Sequence, residues 1–289
     1  MKNYVSLIID IENSRGYAQH DRSEMQKFML ECISKMNIAF KGCLKFEIEF
    51  SAGDEVQGLF EDLTSALLYL RIFEMLIKPV KIRAGMGIGE WTVKIENGTS
   101  TQQDGPAYHR ARQAIEEVHK RQTQRWRICS ESDHDLINHL VNTSCTLKAQ
   151  QGYMQNIALT VMEFLYPFEK QKLIVYDYSI IMELLRLKYQ FGIGKSRSAY
   201  GNRNAKSDGF ENFNKEYLNV LEPIMIDGKH FDAEYAIIKK NMSMHVANVL
   251  DCKRQNADML LKRGNSIAIR NMDYIALQYI ERMYTTGDL

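Results

Sequence analysis

Two short stretches carry groups that could do chemistry together. Ile9-Asp10-Ile11-Glu12-Asn13-Ser14-Arg15 and Ser51-Ala52-Gly53-Asp54-Glu55-Val56-Gln57-Gly58-Leu59-Phe60 each place an aspartate at the end of an apolar run. Two carboxylates held on adjacent strands could share a divalent cation such as Mg²⁺, which would bridge triphosphate oxygens and lower the pKa of an attacking hydroxyl. A plainer role is open to both, because Gly-Asp pairs are common hairpin turns and an aspartate after a strand often satisfies turn amides. A third stretch, Asp104-Gly105-Pro106, opens a helix predicted to run to about His119. Proline is tolerated in a first helical turn, where its missing N–H would be unpaired anyway, and the preceding aspartate can cap free amides. Arg110 and Arg112 fall in the first two turns, so a phosphate could use both the helix N-terminus and the guanidinium groups.

These residues need rigid elements behind them. The unbroken apolar run at 4–9 predicts a strand buried on both faces, and runs 45–51 and 56–60 predict the arms of a hairpin turning at Gly53-Asp54. A helix is expected over 63–77, then a strand through Gly85, Gly87 and Gly89 toward Trp91. Alternate glycines on one strand face permit close approach of another backbone or a ligand, or else mark a tight hairpin turn. The expected order is strand, helix, hairpin, helix, hairpin, helix.

In order and wording these blocks resemble the SatD family and, more distantly, the catalytic domains of class III nucleotidyl cyclases and GGDEF diguanylate cyclases. The resemblance covers residues 1–130. It implies a ferredoxin-like palm in which Asp10 and Asp54 bind Mg²⁺ or Mn²⁺, with the Ile11 carbonyl as a further ligand. Glu55 falls at the acidic neighbour of the GGDEF aspartate, and Gly53, Glu55 and Arg110 fall on the nucleotide-binding side, with a nucleoside triphosphate as ligand. The cyclases carry an Asn and, four residues later, an Arg in the helix after the last hairpin. Placing Arg112 on that arginine puts Tyr108 at the Asn, whereas placing Gly105 on the family glycine puts His109 at the Asn and Gln113 at the Arg. Neither register keeps both, so the implied catalytic residues are Arg112 and His109 as alternatives. Because such cyclases build their site from two subunits, the resemblance also implies a homodimer in which Arg112 acts across the interface.

Composition bounds the rest. With 289 residues, 45% hydrophobic and 25% charged, the chain is expected to form two globular domains. A net charge of +1 singles out no partner for the surface as a whole. Cys32, Cys43, Cys129, Cys145 and Cys252 show no paired spacing, so neither a disulfide framework nor a zinc site is indicated and a reduced cytoplasm fits. No long apolar segment suggests export or a membrane span.

From about residue 130 the pattern changes to helices, expected over 133–149, 154–166 and 178–189 and onward to 284. A faint duplication relates Gly192-Ile193-Gly194-Lys195-Ser196-Arg197-Ser198-Ala199-Tyr200 to Asp251-Cys252-Lys253-Arg254-Gln255-Asn256-Ala257-Asp258-Met259. Each block follows an apolar helix and leads into a further amphipathic one, as in a helix-turn-helix, although packed helical hairpins would look alike. Arg186, Lys188, Lys195, Arg197, Arg203 and Lys206 occur with no intervening acid, and Lys253, Arg254, Lys262, Arg263 and Arg270 mark the second block. Such residues, interleaved with tyrosines and asparagines, suit contacts to duplex DNA, with Lys195, Arg197, Arg203, Lys253 and Arg254 as the expected contact residues.

The expected fold is therefore α+β: a palm over 1–130 with an antiparallel-dominated sheet, then an all-α region over 131–289 with helix-turn-helix units near 178–226 and 235–284. Three functions compete: a nucleotide-sensing DNA-binding regulator, an active Mg²⁺-dependent nucleotidyl cyclase or related nucleotidyltransferase, and a non-catalytic structural protein.

Overall fold

The computed structural model describes residues 2–132, 134–171, 173–191 and 213–286. At its centre lies strand β1 (Tyr4–Ile11), flanked by β3 (Glu55–Phe60) and β4 (Ile82–Gly89). Strand β2 (Leu44–Ala52) pairs with β3, and β5 (Trp126–Cys129) pairs with β4, giving the order β2-β3-β1-β4-β5. All neighbours are antiparallel except β4 and β5. The antiparallel-dominated sheet is as expected, and the β2–β3 hairpin turns at Gly53, whose φ of 62° suits a residue without Cβ.

The second expected hairpin is replaced by something else. Between β4 and helix α3 (Pro106–Lys120) the chain makes one isolated bridge, Val93 to Asp104, and β5 then joins the sheet parallel to β4. Parallel neighbours need a crossover element, and α3 is that element.

Two helices, α1 (Gln19–Ala39) and α2 (Leu63–Ile77), cover one sheet face and α3 covers the other. The glycine stripe of β4 explains how closely α3 sits. A Cβ on Gly87 would lie 2.1 Å from the Ala111 nitrogen and 2.2 Å from the Ala107 oxygen, and one on Gly85 would lie 2.5 Å from Ala111 and Ile115 backbone atoms. The backbone approach suggested by the glycines is that of this helix.

Both sheet edges are met by asparagines on helices. Asn37 of α1 exchanges hydrogen bonds with the N–H and C=O of Ile48 on β2. Helix α4 (Asp135–Gln150) presents Asn138 to both backbone groups of Ile128 and Asn142 to both of Trp126 on β5. These side chains satisfy edge groups that would otherwise template pairing with another chain.

Beyond α4 come α5 (Tyr153–Leu165), α6 (Tyr178–Gln190), α7 (Ala233–Ile237), α8 (Met242–Val249), α9 (Arg254–Arg263) and α10 (Ser266–Thr286). The region is not purely helical: β6 (Phe168–Glu169) pairs in parallel with β7 (Ile224–Met225). Residues 213–226 thus supply a 3₁₀ turn at Lys215–Tyr217 and a strand where a helix was expected after the first basic block. Helix α2 is buried along nearly its whole length, because the sheet lies on one side and α5 and α10 on the other. One apolar cluster runs from Val5 through α2 to Ile280.

Candidate functional site

Strand alternation decides what faces α3. Ile8 packs on Ala111 and Ile115, while Leu7, Ile9 and Ile11 enter the main core, so Asp10 shares the α3 face with Ile8. On β3, Leu59 packs on Ala107 and Tyr108, and the same alternation puts Glu55 on that face at the hairpin end. Two residues of α3, two turns apart on one face, then reach these acids. Arg112 donates to both oxygens of Glu55, at 2.6 and 2.8 Å, and His119 Nε2 lies 3.2 Å from Asp10 Oδ2.

The electrostatics of the two acids are opposite. Burial and then the nearby Asp54 charge push Asp10 above the usual carboxylate value, with His119 working against them. Burial also opposes the Glu55 charge, but hydrogen bonds from Arg112 and Ser51 outweigh it and hold Glu55 below its usual value. Asp54 Oδ2 is buried and has no hydrogen-bond partner among the described residues. A buried carboxylate oxygen without a donor, beside a second carboxylate that is hard to ionise, is the donor set a hard divalent cation would satisfy. At the end of β1, Glu12 adds an ion pair with Arg125 at 3.3 Å. Among the described residues, the grouping of three His, Cys, Asp or Glu ligand atoms close enough for one ion is His20, Asp21 and Glu24, on the exposed first turns of α1. The Asp10–Asp54 pair would therefore need a backbone oxygen, such as that of Ile11, as a third ligand.

Family membership follows from the same stretch. The SatD family model matches residues 4–173. The chain belongs to the SatD family. The match extends past the 1–130 region that carried the resemblance, so the SatD region takes in α4, α5 and β6 as well as the sheet. Neither a curated protein nor a solved structure matches the chain.

Within the SatD region, other expected site residues stand apart from the acids. His119 meets Asp10, so it is the C-terminal half of α3 that lies over the carboxylates, while its N-terminus packs against Gly89 at the opposite end of β4. The expected anion site at that N-terminus is thus remote from Asp10. Its first amides are also occupied, since Ala107 N–H donates to the Glu90 carbonyl at 3.2 Å. Asp104 accepts from Gly105 N–H at 2.7 Å and faces His109 at 3.2 Å, so it does not cap the helix as expected. His109 is exposed there, and Arg110 is turned to the Ile88 carbonyl and to Glu131, each at 2.7 Å. Tyr108 is buried against Leu59, and Gln113 pairs with Glu117 at 3.0 Å. Neither cyclase register therefore brings its Asn-equivalent to the acids. Arg112 is engaged by Glu55 of its own chain rather than left free for a partner. Gly53 lies in the hairpin turn, where its carbonyl accepts from Gln26 at 3.2 Å. His119 escaped the sequence reading, although its place two helical turns beyond Arg112 on one face of α3 was available as a signal.

The expected nucleic-acid residues divide similarly. Lys195, Arg197 and Arg203 lie outside the described residues, as does Ala199. Lys253 and Arg254 open α9 and are exposed, and Ala257 is wholly buried, as a small residue facing its neighbour helix should be. Arg270 and Lys188, which belong to the two basic blocks of the sequence, are buried: Arg270 pairs with Glu163, and Lys188 donates to the Lys78 carbonyl. Among the described residues no helix is long and apolar enough to cross a membrane.

Proposed function

We propose that this SatD chain is a nucleotide sensor: Asp10 and Asp54 hold Mg²⁺ for a nucleoside triphosphate, and the C-terminal helices respond by binding duplex DNA. The observation that carries the reading is the buried, donorless Asp54 oxygen beside an Asp10 raised by burial and by Asp54. The strand order β2-β3-β1-β4 with antiparallel neighbours supports treating residues 1–130 as a ferredoxin-like palm. Bound Mg²⁺ would neutralise triphosphate charge and favour ionisation of a hydroxyl near it. The protein's own groups favour binding over turnover. Arg112 is occupied by Glu55, His109 faces Asp104 and Tyr108 is buried against Leu59, so among the described residues neither cyclase register places its Asn and Arg equivalents together at the acids. His119 holds Asp10 in place until a cation displaces it.

Asp54→Asn tests this. It is expected to abolish Mg²⁺-dependent binding of ATP and GTP in calorimetry, while the metal-free variant melts at the wild-type temperature or slightly above, because one of two neighbouring like charges is gone. The same logic fixes the pH dependence. An acid raised in the folded state penalises folding as pH rises through its folded value, so metal-free protein loses stability there and Mg²⁺ restores it. Mg²⁺ affinity should correspondingly fall as the pH drops through the elevated Asp10 range. Unchanged nucleotide affinity in Asp54→Asn would remove the sensor reading.

The DNA-binding part rests on α8, a short turn and α9, whose Lys253, Arg254, Gln255, Asn256, Lys262 and Arg263 are exposed while Ala257 and Leu261 pack inward. Changing Lys253 and Arg263 to alanine should flatten the salt dependence of duplex DNA binding by roughly two units in a log–log plot, if both meet phosphates. An unchanged slope in fluorescence anisotropy would assign α9 to packing alone.

A further inference from the structure

A cavity of about 480 Å³ lies outside the SatD-matched residues for all but Met162, between α9, the segment entering α8 and the first turn of α10. Its size is that of a small-molecule site, and its wall combines apolar Met162, Met242 and Leu261 with cationic Arg254. Lys239 and Lys262 also line it, against the single acid Asp258, which Lys262 holds at 2.9 Å and the Ser243 hydroxyl at 3.2 Å. Lys239 is itself paired, with Glu222 at 2.7 Å.

Two independent features point to an anion. The cavity reaches Ser266, the first residue of a 21-residue helix, where leading amides have no intrahelical acceptor and the helix dipole favours negative charge. Ser266 is also 0% exposed, and its hydroxyl has no hydrogen-bond partner among the described residues. Buried hydroxyls are rarely left so in folded proteins, and for one lining a cavity at a helix start a bound acceptor would supply the partner.

We infer that this cavity binds a small phosphate monoester with an apolar body. The phosphate rests on the first turn of α10 with Ser266 and Arg254, and the apolar part lies against Met162, Met242 and Leu261. A phosphate matches this set because it offers several acceptor oxygens to amides, a hydroxyl and a planar guanidinium together. The site is separate from the Asp10–Asp54 pair, so either can fail without the other.

Phenyl phosphate and the full-length chain provide the test. Calorimetry should detect binding that survives in Asp54→Asn, and inorganic phosphate or benzyl alcohol, each lacking one half of the probe, should bind at least about tenfold more weakly. Ser266→Ala should weaken phenyl phosphate about tenfold while the unliganded protein melts no lower than wild type, because that hydroxyl has no partner to lose. Arg254→Gln should weaken it by a similar factor or more. The proposal is overturned if phenyl phosphate binds no tighter than inorganic phosphate, or if neither substitution changes its affinity. A clear fall in the unliganded melting temperature of Ser266→Ala would also overturn it, since the hydroxyl would then have a partner within the protein.

Discussion

Glu163→Gln is expected to destabilise the folded chain by about 3–5 kcal/mol, the cost of leaving buried cations short of a counter-charge. Glu163 on α5 is 1% exposed and accepts from Arg71 of α2 at 3.0 and 3.2 Å. Arg270 of α10 donates to the same carboxylate and to the Tyr166 carbonyl. Arg71 also donates to Asp273 at 2.7 Å, and Lys148 reaches Glu74 at 2.6 Å and Asp273 at 3.9 Å. Three cations and three acids thus alternate through the layer where α2 meets α4, α5 and α10. The Phe168 ring lies against both guanidinium groups, 4.6 Å from Arg71 and 4.4 Å from Arg270. A glutamine keeps the shape but faces one of these donors with an NH₂ group, and the two arginines are left with Asp273 alone.

The same network sets an acid limit. Burial opposes the charge on Glu163 and on Asp273, but Arg270 and Arg71 outweigh it for the first, and Arg71 and Lys148 for the second, so both carboxyls sit below their usual values. Depressed acids contribute stability that is complete above the ordinary carboxylate range and is lost as pH falls through the lowered values. Urea melts should therefore show wild type losing stability steeply in acid and Glu163→Gln losing less of it. A variant as stable as wild type at neutral pH would mean that the buried charges are not relying on Glu163.

This network also marks where the sequence could be read and where it could not. The β2–β3 hairpin, α2 and the start of α3 were legible because their signals are local: a Gly-Asp turn, a long apolar run and a proline in a first turn. Asp10 and Asp54 could be singled out because each ends such a run. Arg270 and Lys188 look in the sequence like other members of the basic blocks because their partners are distant in sequence, and a counter-charge or carbonyl on another element leaves no mark beside them. The parallel pairing of β5 was hidden for a related reason. A short strand after a helix can close on either edge, and here it pairs with β4 while Asn138 and Asn142 of α4 meet its free edge. The direction of α3 across the sheet was equally invisible. It puts His119 rather than the helix N-terminus over Asp10, and only the packing of β4 on α3 decides it.

That packing gives the second large effect. Gly87→Ala is expected to cost about 3 kcal/mol or more, at the upper end for overpacking, because the new methyl meets main chain rather than a side chain that could rotate away. Its Cβ would fall 2.1 Å from the Ala111 nitrogen and 2.2 Å from the Ala107 oxygen, so α3 must lift from the sheet. The consequence reaches the acids, since α3 brings both Arg112 to Glu55 and His119 to Asp10. Gly58 on β3 provides the contrast. Its Cβ would meet the end of the Ile48 side chain at 2.6 Å on the other sheet face, and part of that contact can be relieved by a rotamer change. Gly58→Ala should thus cost less and leave Mg²⁺-dependent nucleotide binding in place, whereas Gly87→Ala should lower the melting temperature and weaken that binding together. If Gly87→Ala melted like wild type and bound nucleotide normally, the bare glycine stripe could not be what seats α3 over the carboxylates, and the link from β4 through α3 to Asp10 would be broken.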